Sequence, residues 1–270
     1  MIDIPHIASS CKLYNLHTHT QFCDAHAPME DFVTTAIDAG FTHLGFSPHG
    51  PVPFETNFNM AKADVPSYIN EIERLRKKYG DKINIYASME IDYLGDYGPS
   101  NSFFDTIPLD YRIGSIHFIP AFDNPNKFVD IYGNFDSLKV KMGKYFHNDV
   151  ERVVRTFYSQ SMAMIEKGGF HMIGHFDKFG YNASMLKPGI EQEPWYKKLE
   201  LDEFQSIMDH HLIVEINTKA WEKHQRFYPD ARLFALLKKY KAPVVFNSDA
   251  HSPSKLNAGR LEAMKMYENA

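Results

Sequence analysis

Histidine is the residue type whose number and placement in this chain most strongly suggest chemistry. The 270 residues include 14 histidines, and several of them directly follow short apolar runs, close to carboxylates. These residues stand in the segments LHTH, SPHG, SMEID, GSIHF, IGHFD and NSDAHSP. Imidazole and carboxylate groups without a cysteine-rich cluster are ligands typical of zinc, iron(II) or manganese. The sequence therefore predicts a metal site.

The candidate ligands come from six separate segments of the chain. They are His17, His19, His49, Glu90, His117, His175, Asp249 and His251. Residues two apart in an extended segment point the same way, so His17 and His19 should face one site, as should Asp249 and His251. A single histidine in such a position is more often a hydrogen-bonded loop residue. Six segments that each end in a possible metal ligand supply more ligands than one ion can bind. They therefore predict two or three divalent ions, with Glu90 bridging a pair.

These ligands need rigid elements to position them, and the sequence alternates short β-branched or aromatic runs with longer segments of helical period. The predicted strands are Lys12–Leu16, Thr42–Phe46, Ile83–Met89, Tyr111–Ile116, Phe170–Gly174, Leu212–Ile216 and Pro243–Asn247. The predicted helices are Pro28–Gly40, Asp64–Tyr79, Asp136–Lys167, Pro194–His210, Pro229–Tyr240 and Pro253–Tyr267. Turn-forming residues predict loops at Asp92–Asp110 and Ala121–Gly133.

This alternation indicates an α/β fold with a parallel sheet and helical crossovers. In such folds, and in barrels especially, the loops that leave the carboxyl ends of the strands share one face. The candidate ligands would meet there. No repeat or linker divides the sequence, so we expect residues 1–270 to form a single domain, most simply a barrel.

Composition narrows the classes of function. With 29 Lys and Arg against 34 Asp and Glu, the net charge is −5, which argues against a nucleic-acid-binding protein. No apolar run is long enough for a transmembrane helix, and no basic segment followed by an apolar one marks a signal peptide. We therefore expect a cytoplasmic protein without membrane association. The sequence does not indicate an oligomeric state.

Clustered metal ions at a strand-end face are typical of the hydrolysis of phosphate esters, so a small phosphate ester is the expected substrate. Covalent catalysis is not indicated, because Cys11 and Cys23 lack the setting of a nucleophile and no DxDx motif stands near the start.

The motifs LHTHT, SPHGP, MEIDY, IGSIHFI, GHFDKFG, EINT and SDAHSP occur in this order between His17 and Ser252. The ordered set resembles the polymerase and histidinol phosphatase (PHP) family. This resemblance implies a distorted (β/α)7 barrel with a trinuclear metal centre at the carboxyl ends of the strands. The residues of the last four motifs are most similar to those of bacterial L-histidinol phosphate phosphatases. This similarity implies the phosphatase step of histidine biosynthesis.

Carried over by motif, the resemblance implies three ligand sets. The first is His17, His19, Glu90 and Asp249; the second is Glu90, His117 and His175; the third contains His49 and His251. The third set needs one more ligand from the loop after His19, where many relatives read HxHTxxCxH. This chain has Cys23-Asp24-Ala25-His26 there, which favours Asp24 and keeps His26 as an alternative.

Substrate contacts are less well indicated. Relatives often have a phosphate-binding Arg after EINT, whereas this chain has Lys219 there. The candidates for the phosphate contact are therefore Lys219, Lys223 and Arg226. The alternative is that the metal ions alone bind the phosphate. Ser115 is a further candidate for phosphate. The acidic residues Glu222, Asp92 and Asp96 are candidates for the ammonium or imidazole group. A solvated charged loop and a packed interior serine are the structural alternatives.

The expected mechanism is in-line attack on phosphorus by a hydroxide that bridges two ions, with Glu90 between those ions. The leaving alkoxide needs a proton, for which Asp249, His251 or a water are candidates. Two other functions remain open: a PHP phosphoesterase acting on another small ester, such as a nucleotide or nucleoside bisphosphate, and a non-catalytic metal-binding module.

Overall fold

The computed structural model describes residues 2–270. Its strands are β1 (Tyr14–Asn15), β2 (His43–Phe46), β3 (Asn84–Ala87), β4 (Glu90–Asp92), β5 (Ile113–Ser115), β6 (Phe118–Ala121), β7 (Asn124–Asp130), β8 (Met172–Ile173), β9 (Ile213–Asn217) and β10 (Val244–Asn247). Its helices are α1 (Ile4–Ser10), α2 (Met29–Asp38), α3 (Val65–Tyr79), α4 (Ser102–Asp105), α5 (Phe135–Phe146), α6 (Val150–Lys167), α7 (Phe179–Leu186), α8 (Pro194–Asp209), α9 (Trp221–His224), α10 (Phe234–Lys239) and α11 (Arg260–Glu268). The predicted α/β fold with a parallel sheet and helices is confirmed.

The parallel strands form two sheets. One has the order β1-β2-β3, and the other has the order β10-β9-β8-β5-β4. Every neighbouring pair within these two sheets is parallel. Each of the seven predicted strand segments overlaps an observed strand, and only β9, at Asn217, extends beyond its predicted segment. The segment predicted as Ile83–Met89 contains β3, which pairs with β2, and the separate strand β4, which pairs with β5, begins at the next residue.

Two isolated parallel bridges connect the sheets at the carboxyl ends of their strands. Thr18, after β1, pairs with Ala250, after β10. His49, after β2, pairs with Glu90 at the start of β4. Candidate ligands therefore lie within or next to both connections. The closed, distorted seven-stranded barrel remains a prediction.

The two stretches predicted as loops contain regular structure. Within Ala121–Gly133, β7 pairs with β6 as an antiparallel hairpin. Within Asp92–Asp110, the short helix α4 begins where the Asn101 side chain accepts a hydrogen bond from the Phe103 backbone N–H. The turn residues that predicted loops are the turn of the hairpin and the cap of the helix.

The segment predicted as one helix, Asp136–Lys167, is two helices. His147 and Asn148 adopt left-handed backbone conformations, with φ of 52° and 57°, and end α5. The Asp149 side chain then accepts a hydrogen bond of 3.0 Å from the Arg152 backbone N–H and caps α6. The residues H-N-D are therefore the break, since Asn tolerates a left-handed φ and Asp is a preferred N-cap.

Apolar side chains bury the sheets on both sides. One cluster lies around β5, β8 and β9 with α6 and α8, and the other lies around β2 and β3 with α2 and α3. Among residues 2–270, no helix is long and apolar enough to cross a membrane.

The close packing of β2 generates a stability prediction. An ideal Cβ on Gly45 would lie 1.9 Å from the Tyr111 hydroxyl oxygen, which donates a hydrogen bond to the Leu16 carbonyl. Gly45→Ala must displace this buried tyrosine, so we expect it to lower the free energy of unfolding by roughly 1–3 kcal/mol in urea denaturation. Gly143→Ala is the control, because Gly143 is exposed in α5 and an added Cβ meets its nearest atom at 3.6 Å. That variant should gain roughly 0.5–1 kcal/mol, and equal stabilities of the two variants would contradict the packing argument.

Candidate metal centre

Seven of the eight predicted ligands follow the carboxyl ends of parallel strands, and the eighth, Glu90, is the first residue of β4. His17 and His19 follow β1, His49 follows β2, Glu90 opens β4, His117 follows β5, His175 follows β8, and Asp249 and His251 follow β10. Seven of these eight side chains are buried: His17, His19, His49, Glu90, His117, His175 and Asp249. His251 is partly exposed. The tertiary structure therefore brings all eight together from six segments.

The Glu90 carboxylate lies at the centre of this cluster and is 1% exposed. Its Oε1 is 2.7 Å from His175 Nε2, while its Oε2 is 3.1 Å from His49 Nδ1 and 3.3 Å from His17 Nε2. The Ser115 hydroxyl donates a 2.7 Å hydrogen bond to Oε1. A carboxylate contacted by imidazoles on both oxygens has the geometry that a bridging ligand requires.

Four overlapping groups of side chains have donor atoms close enough together to hold a metal ion. They are His17, His19 and Asp249; Glu90, His117 and His175; His19, Asp24, His49 and His251; and His49, Asp92 and His117. The first three groups correspond to the three ligand sets implied by the resemblance, with two differences. Glu90 contacts the histidines of the first group but is not a member of it. His19 belongs to the third group as well as to the first.

Several donor atoms of the cluster are buried without a hydrogen-bond partner among residues 2–270. They are His17 Nε2, His19 Nε2, Asp24 Oδ1, His49 Nδ1, Glu90 Oε2 and His117 Nε2. Buried polar atoms are nearly always satisfied, because leaving one unpaired costs about 1–3 kcal/mol. These unpaired atoms converge on one another, so bound cations would satisfy them together. The residues present therefore fit metal ions.

Two buried carboxylates contact the ring nitrogens of His17 and His117 that face away from Glu90. Glu215 Oε1 is 2.6 Å from His17 Nδ1, and Asp92 Oδ1 is 2.9 Å from His117 Nδ1. A carboxylate on one ring nitrogen fixes the tautomer and leaves the other nitrogen free to bind metal. Neither role was predicted from the sequence. The available signal was a charged residue inside a short apolar strand, as in IVEIN and MEID.

The electrostatics of the cluster differ from one histidine to another. Burial lowers the pKa of His17, but the carboxylates of Glu215, Glu90 and Asp249 more than offset this and raise that pKa to about 10. Burial and the Lys178 ammonium lower the pKa of His175 to about 4. Burial, with His19 and Lys219, likewise lowers the pKa of His251 to about 4. His175 and His251 are therefore neutral near pH 7, the form that binds metal, whereas His17 is protonated and a metal ion that binds there must displace its proton.

Two candidate ligands have unusual backbone conformations. His175 has φ of 28° and Asp249 has φ of 49°, and both values lie in the left-handed region that residues other than glycine seldom adopt. Such conformations cost of order 1–3 kcal/mol and concentrate at functional sites. This strain at the ends of β8 and β10 is consistent with a site that directs these side chains into the cluster.

The structure separates the two candidates from the loop after β1. Asp24 Oδ1 is 3.3 Å from His19 Nδ1, and Asp24 Oδ2 is 3.2 Å from His251 Nε2. His26 is exposed and belongs to none of the four donor groups found among residues 2–270. Its backbone N–H donates to the His251 carbonyl instead. The geometry favours Asp24 over His26.

Lys219 is the candidate phosphate contact that the structure places beside the cluster. Its Nζ is 3.2 Å from Asp249 Oδ1 and 3.0 Å from His251 Nε2. Its side chain is 41% exposed, so the ammonium can reach both the cluster and a bound ligand.

Other expected substrate contacts have structural partners instead. Arg226 is held by Glu191, Asp177 and Asp230, so its guanidinium is part of the scaffold. The Ser115 hydroxyl is engaged by Glu90. Glu222 pairs with Lys255 at 2.5 Å, Asp96 is fully exposed beside Lys167, and Asp92 is buried against His117. These carboxylates do not form an acidic pocket.

A cavity that could hold a ligand lies away from the cluster. It has a volume of about 650 Å³ and is lined by residues that include Asp110, Arg112 and His171. Arg112 and His171 directly precede β5 and β8, so this cavity lies at the amino ends of the strands. It contains none of the candidate ligands.

Fold and site together define a class of protein, and comparison with known families agrees. The chain belongs to the PHP domain family, which matches residues 15–219. The match ends before Asp249 and His251, which the structure brings next to His19.

Individual relatives narrow the comparison further. A protein of Deinococcus radiodurans named "Probable histidinol-phosphatase" is 27% identical over 266 residues, covering 94% of this chain and 92% of that protein. The crystal structure of a protein of Listeria monocytogenes named "putative histidinol phosphatase hisK" superposes with a TM-score of 0.80 at 21% identity, covering 92% of this chain and 99% of that chain. A histidinol phosphate phosphatase from Lactococcus lactis, solved with zinc, L-histidinol and phosphate, has a TM-score of 0.70 at 20% identity, covering 95% and 92%.

The central position of Glu90 generates a prediction about metal content. Glu90→Gln keeps the shape of the side chain but removes the negative charge that the surrounding imidazoles contact. Loss of an outer-layer partner alone typically weakens metal binding by 10- to 100-fold, so losing this carboxylate should weaken it by more than roughly 100-fold. Elemental analysis after gel filtration should show fewer ions per chain than in the wild type. Glu262→Gln, in the exposed part of α11, is the control and should keep full metal content. Unchanged metal content in Glu90→Gln would remove Glu90 from the centre.

Proposed function

We propose that this protein is a metal-dependent phosphomonoesterase that hydrolyses L-histidinol phosphate to L-histidinol and phosphate. The observation that carries the proposal is the buried, converging set of imidazole and carboxylate donors, with unpaired atoms facing one another, in a PHP-family chain. Relatives named histidinol-phosphatase cover nearly the whole chain and support the choice of substrate.

We propose three metal ions, with ligands assigned from the donor groups. The first would be held by His17, His19, Glu90 and Asp249; the second by Glu90, His117 and His175; the third by Asp24, His49 and His251, with His19 next to it. Zinc, manganese and iron all suit these ligands, and the zinc in the Lactococcus lactis structure favours zinc. When bound, the ions would lower the pKa of water and neutralise the phosphoryl oxygens.

The residues of the chain would orient the reacting groups and move protons. Glu90 holds the imidazoles on both of its oxygens, and Glu215 and Asp92 keep His17 and His117 in fixed orientations. Asp249 and the partly exposed His251 lie on the Lys219 side of the cluster. These two are the candidates for protonating the leaving alkoxide, and Lys219 would bind a phosphate oxygen there.

An aromatic wall made of Phe54, Phe58 and Phe118 flanks the histidines on another side. The Phe58 ring lies 5.0 Å from the His49 ring and 6.4 Å from the His117 ring, between centroids. Phe58 and Phe118 are stacked at 5.4 Å, and Phe54 packs edge-on against Phe118 at 5.3 Å. Planar aromatic groups stack on such surfaces. We propose that the wall receives the imidazole ring of the substrate.

The scaffold proposal is a distorted (β/α)7 barrel formed by a single domain. The bridges Thr18–Ala250 and His49–Glu90, between the two parallel sheets, support it. Closing the sheets through these bridges would make the carboxyl ends of the strands the rim of the barrel, where the ligands lie.

Metal dependence is the first test of the activity. Removing the ions with a chelator should reduce the hydrolysis of L-histidinol phosphate to background, because without them neither the attacking water nor the phosphate oxygens are stabilised. Adding back zinc, manganese or iron(II) should restore turnover, measured as released phosphate. Full turnover by protein shown by elemental analysis to be metal-free would rule out the proposed chemistry.

Substrate choice is the second test. The value of kcat/KM should fall by roughly 100-fold or more from L-histidinol phosphate to a plain alkyl phosphate of similar size, because binding energy from the remote ring helps to orient the reacting group. Phe58→Ala should lower kcat/KM by about tenfold for the first substrate and much less for the second. Tyr240→Ala, an exposed aromatic after α10, is the control. A preference for a nucleotide would instead favour another PHP phosphoesterase.

A further inference from the structure

The first ligand set spans a junction between two strands that belong to different sheets. His17 and His19 follow β1, whereas Asp249 follows β10, and each strand lies at the edge of its own sheet. Beyond the strand ends, the Ala250 N–H donates to the His17 carbonyl at 3.3 Å, and the Ala250 carbonyl accepts from the His19 N–H at 2.9 Å. Within β1 and β10 themselves, no strand pairing joins the two sides among residues 2–270. Side chains must therefore hold the two strands at a fixed separation.

Asn247, the last residue of β10, reaches across this junction with its side chain. Its Oδ1 accepts a 2.8 Å hydrogen bond from the Leu16 backbone N–H, and its Nδ2 donates a 3.0 Å hydrogen bond to Glu215 Oε1. Leu16 directly precedes His17, and Glu215 Oε1 is the atom that contacts His17 Nδ1. Asn247 is fully buried, so water does not compete for these bonds. One side chain thus holds the backbone next to His17 and the carboxylate that contacts its ring.

Asn15, the last residue of β1, reaches across in the opposite direction. Its Nδ2 donates hydrogen bonds to Ser248 Oγ at 2.6 Å and to the Leu256 carbonyl at 3.0 Å, while its Oδ1 accepts one from the His17 N–H at 3.1 Å. Ser248 directly precedes Asp249, and Asn15 is also fully buried. Each strand therefore sends one amide side chain to the residue that precedes a candidate ligand on the other strand.

Both positions need a side chain that accepts and donates at the same time. A backbone N–H can only donate, so it fixes the oxygen end of each amide, and the nitrogen end then faces an acceptor. At Asn247 a carboxylate would offer no donor to Glu215. An aliphatic side chain there would leave the buried Leu16 N–H and Glu215 Oε1 each without this partner, which is costly in the protein interior. The amide chemistry of the pair is thus matched to the junction.

We propose that Asn15 and Asn247, here named the asparagine clasp, are positioning residues that fix the separation of β1 and β10 and so shape the first ligand set for a metal ion. His19 Nε2 and Asp249 Oδ1, which come from opposite sides of the junction, are 3.0 Å apart. A shift of one strand against the other would change that spacing directly. The inference rests on the proposed function for the presence of the first ion. The clasp acts through the ligands and is not itself a ligand in this assignment.

Zinc titration of the metal-stripped protein, in competition with a zinc-binding dye, tests the clasp without turnover. Asn247→Ala and Asn15→Ala should each weaken the binding of one ion per chain by roughly 10- to 100-fold, the usual loss when a residue that orients a ligand is removed. The visible spectrum of the cobalt(II)-loaded protein, which depends on ligand geometry, should change in both variants. Asn84→Ala is the matched control, because Asn84 is exposed at the start of β3, and it should match the wild type in both measurements.

The double variant distinguishes a clasp from two independent contacts. If both asparagines set the same separation, Asn15→Ala combined with Asn247→Ala should lose clearly less affinity than the product of the two single losses, because coupled residues are not additive. A loss equal to that product would overturn the clasp. Asn15→Ser and Asn247→Ser, which keep a hydroxyl group, carry the same test if an alanine variant does not fold, and they should lose less affinity.

Urea denaturation of the metal-free variants separates positioning from a purely structural role. Lower stability together with wild-type zinc affinity and an unchanged cobalt spectrum would overturn the proposal, since the asparagines would then support the fold alone. Weaker zinc binding with an altered spectrum in a folded variant is the expected result. If the wild type showed this pattern yet failed to hydrolyse L-histidinol phosphate, the proposed function would fail and the asparagine clasp would stand.

Discussion

The buried carboxylate of Glu90 is the constraint on which the rest of the site depends. It lies within 3.6 Å of five histidine rings, those of His17, His19, His49, His117 and His175. Burial alone raises its pKa, yet the imidazoles around it hold that pKa well below its usual range. A charge removed from water must be compensated within the protein, so each strand end next to Glu90 has to present a polar group to it. This requirement explains why the histidines of separate segments converge.

A second layer of polar side chains fixes the orientation of the histidines around Glu90. Glu215 and Asp92 contact the outer nitrogens of His17 and His117, and Asn247 and Asn217 donate hydrogen bonds to Glu215. Each of these side chains belongs to a strand, so the orientation of the ligands is tied to the sheets. Side chains held on strands in this way keep a fixed orientation, which is the condition for efficient electrostatic stabilisation.

The surroundings of the cluster differ in chemistry from side to side. Lysines stand at Asp249 and at His175, whereas phenylalanines flank His49 and His117. A ligand with an anionic end and a planar ring matches this division. Acidic residues near the site do not form a separate pocket, because Asp92 is used to orient His117 and Glu222 is neutralised by Lys255. Recognition of the ring by packing is therefore the simplest account of how a small phosphate ester would be selected.

The sequence by itself determined the fold class, most strand positions and the set of candidate donor residues, because burial patterns and ligand chemistry are local properties. The helix break at His147, the hairpin of β7, the scaffold role of Arg226 and the position of Lys178 beside His175 were decided only by tertiary structure. Whether an arginine binds a ligand or forms an ion pair with a carboxylate of the protein depends on which distant segments pack beside it. For the same reason only the tertiary structure showed that the Asp24 side chain lies next to His251, whereas the side chain of His26, two residues later in the same loop, is exposed.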